Sequence, residues 1–185
     1  MHEALIKDME ARMQAAVDLL TREFSGVRTG RANTALLDSV RVEAYGNLVP
    51  LNQVASTSVS DPKTLVIQPW DVSTTSAIEK AIQKSDLGLT PSNDGKVIRL
   101  SMPTLTEDRR KQLVKTVGKF AEDARVAIRN VRREANDKLK GLAKDKKVSQ
   151  DEERRGHDTI QKGTDRFIGK VDELTRKKEG EVLAI

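Results

Sequence analysis

The residues with the clearest chemical promise are Arg125, Arg129, Arg132, Asn136 and Lys140, a basic stripe at helical spacing. Each stands one residue after an apolar one: Ala124, Ile128, Val131, Ala135 and Leu139. Steps of 4, 3, 4 and 4 residues keep the stripe on one face of a helix, about 100° from the apolar face. The arginines are therefore expected to rim a core and point outward. No acid lies three or four residues from Arg129, where Arg125, Val126, Arg132 and Arg133 stand. None lies at that spacing from Arg132 either, where Ile128, Arg129, Ala135 and Asn136 stand. Like charges so placed cost a helix about 0.2 to 0.5 kcal/mol per pair. The cluster reads as kept for an anionic partner outside the chain, because a guanidinium fork can meet two phosphate oxygens at once.

Two further groups support contact with nucleic acid: Arg109-Arg110-Lys111, and Arg28 with Arg31. Aromatic residues make up only 3 % of the chain, and Phe24 and Phe120 fall on apolar stripes. A stacking platform for single-stranded bases is therefore not expected, and arginine contacts to the phosphates of a folded RNA suit the surface better. Other chemistries are poorly supplied. The 2 histidines, His2 and His157, are read as surface residues, and no nucleophile-elbow pattern accompanies them. Asp151-Glu152-Glu153 is expected from the helix dipole rather than from a metal site. Gly118-Lys119 lacks the glycine and hydroxyl that a phosphate loop needs, so the chain is expected to bind no nucleotide or other cofactor of its own. With no cysteine, thiolate metal sites and disulfides are excluded.

The elements that must carry these residues are legible in the 185-residue chain, which is 37 % hydrophobic and 33 % charged with a net charge of +5. Leu5, Met9, Met13, Ala16, Leu20, Phe24 and Val27 predict one long helix, with charges interleaved where a signal peptide would be continuously apolar. Thr104-Leu105-Thr106-Glu107 reads as a capping box opening a second. Its apolar positions run from Leu113 through Leu142 at about 3.6 residues per step. Ser149-Gln150-Asp151-Glu152 opens a third, carrying Ile160, Phe167, Ile168, Val171, Leu174 and Val182. Three such stripes predict a helix bundle. All five prolines fall between Pro50 and Pro103. There Val40–Tyr45, Thr64–Gln68 and Lys96–Leu100 read as strands and Ser73–Lys84 as a short helix. The expected fold is α+β, with residues 1–30 and 104–185 forming the bundle and 31–103 an inserted β/α/β domain. Thr29, Gly30 and Arg31 on one crossing, and Ser101, Met102, Pro103 and Thr104 on the other, are hinge candidates. No apolar run is long enough to span a membrane. The surface alone also fits an RNA-binding protein of another kind, or a helical interaction protein with exposed apolar faces.

Four separated motifs narrow this further: Arg28-Thr29-Gly30-Arg31-Ala32, Ser85-Asp86-Leu87-Gly88-Leu89-Thr90-Pro91, the run Pro103–Lys111, and the run Arg125–Lys138. In this order, over essentially the whole length, they resemble bacterial ribosome recycling factor. Trp70 and the Val182–Ile185 end are not family signatures, and Thr90 and Asp108 stand where other residues are usual. The resemblance implies an L-shaped protein, monomeric and cytoplasmic. It would act with elongation factor G and GTP on the 70S ribosome after termination, releasing it from mRNA and splitting it into subunits, with GTP hydrolysed by the partner. It also implies that the bundle lies on the 23S rRNA of the large subunit across the A and P sites, and that the translocase pushes the smaller domain. Arg129, Arg132 and Arg133 match the family's arginine cluster, and Arg28 and Arg31 its RNA-facing hinge segment. Arg109, Arg110 and Arg125 join them as candidates from the charge pattern alone.

Overall fold

Helical periodicity carries through to three long helices. The computed structural model describes residues 2–85 and 87–184; Asp86 of the second motif and Ile185 of the terminal apolar run lie outside the described residues. The chain divides into two compact units, Met1–Phe24 with Val114–Gly180, and Ser25–Leu113 with Glu181–Ile185.

The first unit is built from α1 (His2–Ser25), α3 (Glu107–Lys144) and α4 (Gln150–Leu183), the last two contributing most of their length. Met9, Met13, Val17 and Leu20 of α1, Val117, Ala121, Ile128, Val131 and Leu139 of α3, and Ile160, Phe167 and Val171 of α4 fill its core. Some expected core positions yield to a neighbour, among them Ala16, half-exposed beside the buried Val17, and Phe120, half-exposed beside the fully buried Ala121. In both cases a shift of one position turns the stripe slightly round the helix. Close packing uses the absence of side chains on α4. A Cβ on Gly156 would stand 2.6 Å from Leu139 Cδ2, and one on Gly163 2.9 Å from Met9 Cε. Thr164, fully buried, donates its hydroxyl proton to the Ile160 carbonyl at 2.8 Å, so this hydroxyl enters the core with its proton bonded.

Helix α3 ends at Lys144 in a Schellman arrangement. Lys146 takes the left-handed conformation (φ 59°), and the Lys147 amide donates to the Leu142 carbonyl at 2.9 Å. Helix α4 opens with the expected capping box, Ser149 Oγ accepting from the Glu152 amide at 3.1 Å and Glu152 Oε2 from the Ser149 amide at 2.7 Å. At the start of α3 the sequence expectation needs correction. Thr106, not Thr104, is the cap, its Oγ1 accepting from the Arg109 amide at 3.1 Å. Leu105 is buried, and the helix begins only at Glu107.

The second unit holds β1 (Arg41–Ala44), β2 (Asn47–Pro50), β3 (Ala55–Asp61), β4 (Thr64–Pro69), α2 (Thr75–Lys84), β5 (Pro91–Asn93) and β6 (Ile98–Ser101). β1 and β2 form an antiparallel hairpin; the other four strands form an antiparallel sheet in the order β3-β4-β6-β5. Alternate residues Val42 and Ala44, Leu65 and Ile67, and Ile98 and Leu100 point into a core shared with Ile78 and Ile82 of α2. Three strands beyond those read from the sequence are present: β2, β3 and β5. Among the described residues no helix is long and apolar enough to cross a membrane.

Candidate nucleic-acid interface

On α3 the one-residue offset does what the spacing predicts: Ile128, Val131, Ala135 and Leu139 are buried, while Arg125, Arg129, Arg132 and Asn136 sit half-exposed at the rim. Their surroundings differ from the expectation of arginines lacking internal counter-ions. Arg125 donates from both Nε and Nη2 to Asp172 Oδ1 of α4, at 3.0 and 2.8 Å. Its Nη1 lies 3.3 Å from Glu122 Oε2, and the other oxygen of that carboxylate accepts from Arg129 Nη2 at 2.8 Å. The acids come from three and seven residues upstream and from another helix, outside a window of three or four residues around Arg129 and Arg132.

The electrostatics follow these contacts. The Arg129 hydrogen bond, aided by Arg125, holds the Glu122 carboxyl below the usual carboxylate range. Burial works against the charge on Arg125, but Asp172 and Glu122 outweigh it and raise its pKa. Arg132 and Arg133 make no hydrogen bond or ion pair among the described residues, although each could offer five donors. Next to them Glu134 is already taken, paired with Arg12 of α1 at 2.6 Å. Asn136 is engaged too. Its Oδ1 lies 2.6 Å from His157 Nδ1, and His157 Nε2 lies 3.4 Å from Glu153. The plain surface role expected for His157 is thus corrected: it is half-buried and joins α3 to α4.

In the second unit the structure brings Arg28, Arg109 and Arg110 into one neighbourhood. Arg28 Nη2 donates to the Pro103 carbonyl at 3.3 Å. Burial, and then the nearby Arg109 charge, pull the Arg28 pKa below that of a free guanidinium. Arg28 Nε and Arg110 Nε are buried with no hydrogen-bond partner among the described residues, and Arg110 lines a small crevice with Gly30, Lys63, Thr104, Leu105 and Ala184. Arg31 is exposed, and its amide donates to Thr29 Oγ1 at 3.2 Å. The hinge candidates belong to this unit, where two backbone bonds of 2.7 Å fasten their neighbourhood to the β3–β4 turn: the Ala32 amide to the Pro62 carbonyl and the Met102 amide to the Lys63 carbonyl. Ser101 pairs with Thr64 as the last residue of β6.

Among the functional features, sequence reasoning missed Glu122 and Asp172. A window of two helical turns would have found Glu122; Asp172 required the packing of α4 on α3.

Comparison with known proteins matches this geometry to one family along nearly the whole chain. The family model described as ribosome recycling factor matches residues 20–183. The chain is 56 % identical over 185 residues to the ribosome-recycling factor of Symbiobacterium thermophilum and 55 % identical to that of Carboxydothermus hydrogenoformans, each covering 100 % of both chains. A solution structure of the ribosome recycling factor superposes with a TM-score of 0.77 at 41 % identity, covering 100 % of this chain and 98 % of that one. Models of the T. thermophilus ribosome recycling factor and the E. coli elongation factor G bound to the E. coli post-termination complex match with a TM-score of 0.69 at 52 % identity, both chains covered completely. Identity of more than half over the full length, with the arginine-bearing helix inside the matched region, means that this chain belongs to the ribosome recycling factor family.

Proposed function

We propose that this protein recycles ribosomes, acting with elongation factor G and GTP to release the post-termination ribosome from mRNA and split it into subunits. The bundle anchors on 23S rRNA of the large subunit across the A and P sites, through arginine contacts to phosphates. The inserted β/α/β domain read from the sequence, 31–103, takes up the partner's motion through the two chain crossings at Thr29–Arg31 and Ser101–Thr104. GTP hydrolysis belongs to elongation factor G, and this chain works as a monomeric binding factor without a cofactor or a catalytic step of its own. Its place of work is the cytoplasm, where mRNA is translated. What carries the reading is Arg132 and Arg133, two guanidinium groups without a partner among the described residues on the rim of α3, in a chain similar to a ribosome recycling factor that models place, with elongation factor G, on a post-termination complex. An unpaired cluster of like charge is costly to keep on a helix unless an anion meets it.

Light scattering tests the activity. Post-termination ribosomes mixed with this protein, elongation factor G and GTP lose scattering as subunits separate. A trace that stays flat at every protein concentration overturns the proposal.

A further inference from the structure

The basic rim of α3 contains one acid with two arginine partners. Glu122 lies at i relative to Arg125 at i+3 and Arg129 at i+7, so all three share a face of the helix. Its two oxygens are divided between them, Oε1 accepting from Arg129 at 2.8 Å and Oε2 lying 3.3 Å from Arg125 Nη1. Arg125 is itself held, since Asp172 Oδ1 of α4 accepts from its Nε and Nη2. All three of its nitrogens are in use, so Arg125 serves as a strut between helices rather than as a hand for a ligand. Arg129 is different: only Nη2 is taken, and Nε and Nη1 have no partner among the described residues.

We propose that Glu122 is a positioning residue for phosphate recognition: pinned by Arg125 and Asp172, it fixes the Arg129 guanidinium by one nitrogen and leaves the other donors for a phosphate of the bound RNA. A long side chain that is ordered before binding loses less rotamer freedom when it binds. The opposite role, a counter-ion that phosphate must displace, fits the geometry less well. A competitor would occupy a two-nitrogen edge of Arg129, as Asp172 does on Arg125, whereas Glu122 takes one nitrogen only. This inference rests on the reading that the rim of α3 meets ribosomal RNA.

Binding of the full-length protein to purified large ribosomal subunits over a salt series separates the possibilities. Glu122→Ala is expected to weaken binding about two- to fivefold. Glu122→Gln, whose amide oxygen still accepts from Arg129, should weaken it by less than about twofold on the same scale. In an Arg129→Ala background, Glu122→Ala should have no further effect. The slope of log K against log salt should stay put in Glu122→Ala and fall by about one in Arg129→Ala. Tighter binding with a steeper slope in both Glu122 variants would identify a competing counter-ion and overturn the proposal. So would an undiminished Glu122→Ala loss in the Arg129→Ala background, which would place its effect in the fold. If Arg129→Ala weakens binding while Glu122→Ala does not, the positioning role falls and the RNA reading stands. If Arg129→Ala and Arg132→Ala both bind like the parent protein, both fall.

Discussion

Two adjoining stretches of α3 carry the same kind of residue in different settings. Around Arg125 and Arg129 each cation meets an acid, in the alternating order Asp172, Arg125, Glu122, Arg129. Four formal charges cancel there. One turn further on, Arg132 and Arg133 have no such partners among the described residues, and their neighbour Glu134 is committed to Arg12. Of the two stretches, the second therefore contributes more to the far field that draws in an anion before contact. The first supplies order: a paired arginine on a surface adds little stability, about 0 to 1 kcal/mol, but it has a defined place. Counting arginines along a stripe would rank the two stretches alike; counting unused donors does not.

The comparison breaks most readily at its unpaired end. Replacing Arg132 and Arg133 together with alanine should weaken binding to large subunits by about ten- to a hundredfold for each lost charge-assisted contact. The salt slope should fall by about two, while folding stability stays within about 0.5 kcal/mol. Equilibrium binding across salt and a denaturant titration measure both. An unchanged slope would make the two stretches equivalent after all.

At the paired end the prediction reverses. Arg125→Ala removes a packed stem and leaves Asp172 without its fork, so the bundle should lose about 1 kcal/mol in denaturant unfolding. Binding should fall no further than it does on loss of Glu122. A stable variant with a large binding defect would turn Arg125 from strut into anchor.

The smallest expected effect sharpens the contrast through pH. Glu122 is held below its ordinary pKa by Arg129 and Arg125, as Glu134 is by Arg12. Because the folded value is the lower one, the stabilisation is complete above the unfolded carboxylate pKa, about 4.3, and is lost as pH falls through the folded value. Denaturant curves should therefore agree from neutral pH down to about 5 and then lose midpoint. Glu122→Gln should blunt that acid loss. The Arg132→Ala/Arg133→Ala pair should leave it unchanged, since among the described residues no carboxylate pairs with either arginine.

Much of this architecture was legible in residue order. The long helices announce themselves because each buries one stripe, and Ser149 with Glu152 closes the capping box that its sequence spells. The strands that escaped notice are those without an inward-facing apolar alternation. β3, ASTSVSD, has one buried residue in seven, and β5 is three residues long and starts with proline. Both are edge strands, defined by the neighbour they pair with rather than by a face they bury. The site was legible in part for a related reason. Arg132 stands out because no acid lies three or four residues from it, whereas Arg129 meets Glu122 seven residues upstream, and Arg125 meets Glu122 three residues upstream and Asp172 on another helix. The spacing of Thr104 to Glu107 favours it as a cap, yet Thr106 takes that duty, with Leu105 between them buried.

Trp70 offers a consequence of another kind. It is the only tryptophan, it follows the Pro69 end of β4, and 66 % of it faces solvent. Nearby, Tyr45 is 75 % exposed and gives its phenolic proton to Asp71 at 2.5 Å. An indole already in water emits much as it does in the unfolded chain, so intrinsic fluorescence would report poorly on melting. The same placement makes it a natural optical probe. Any surface that covers this corner of the second unit dries the ring and shifts its emission to the blue, with no label attached.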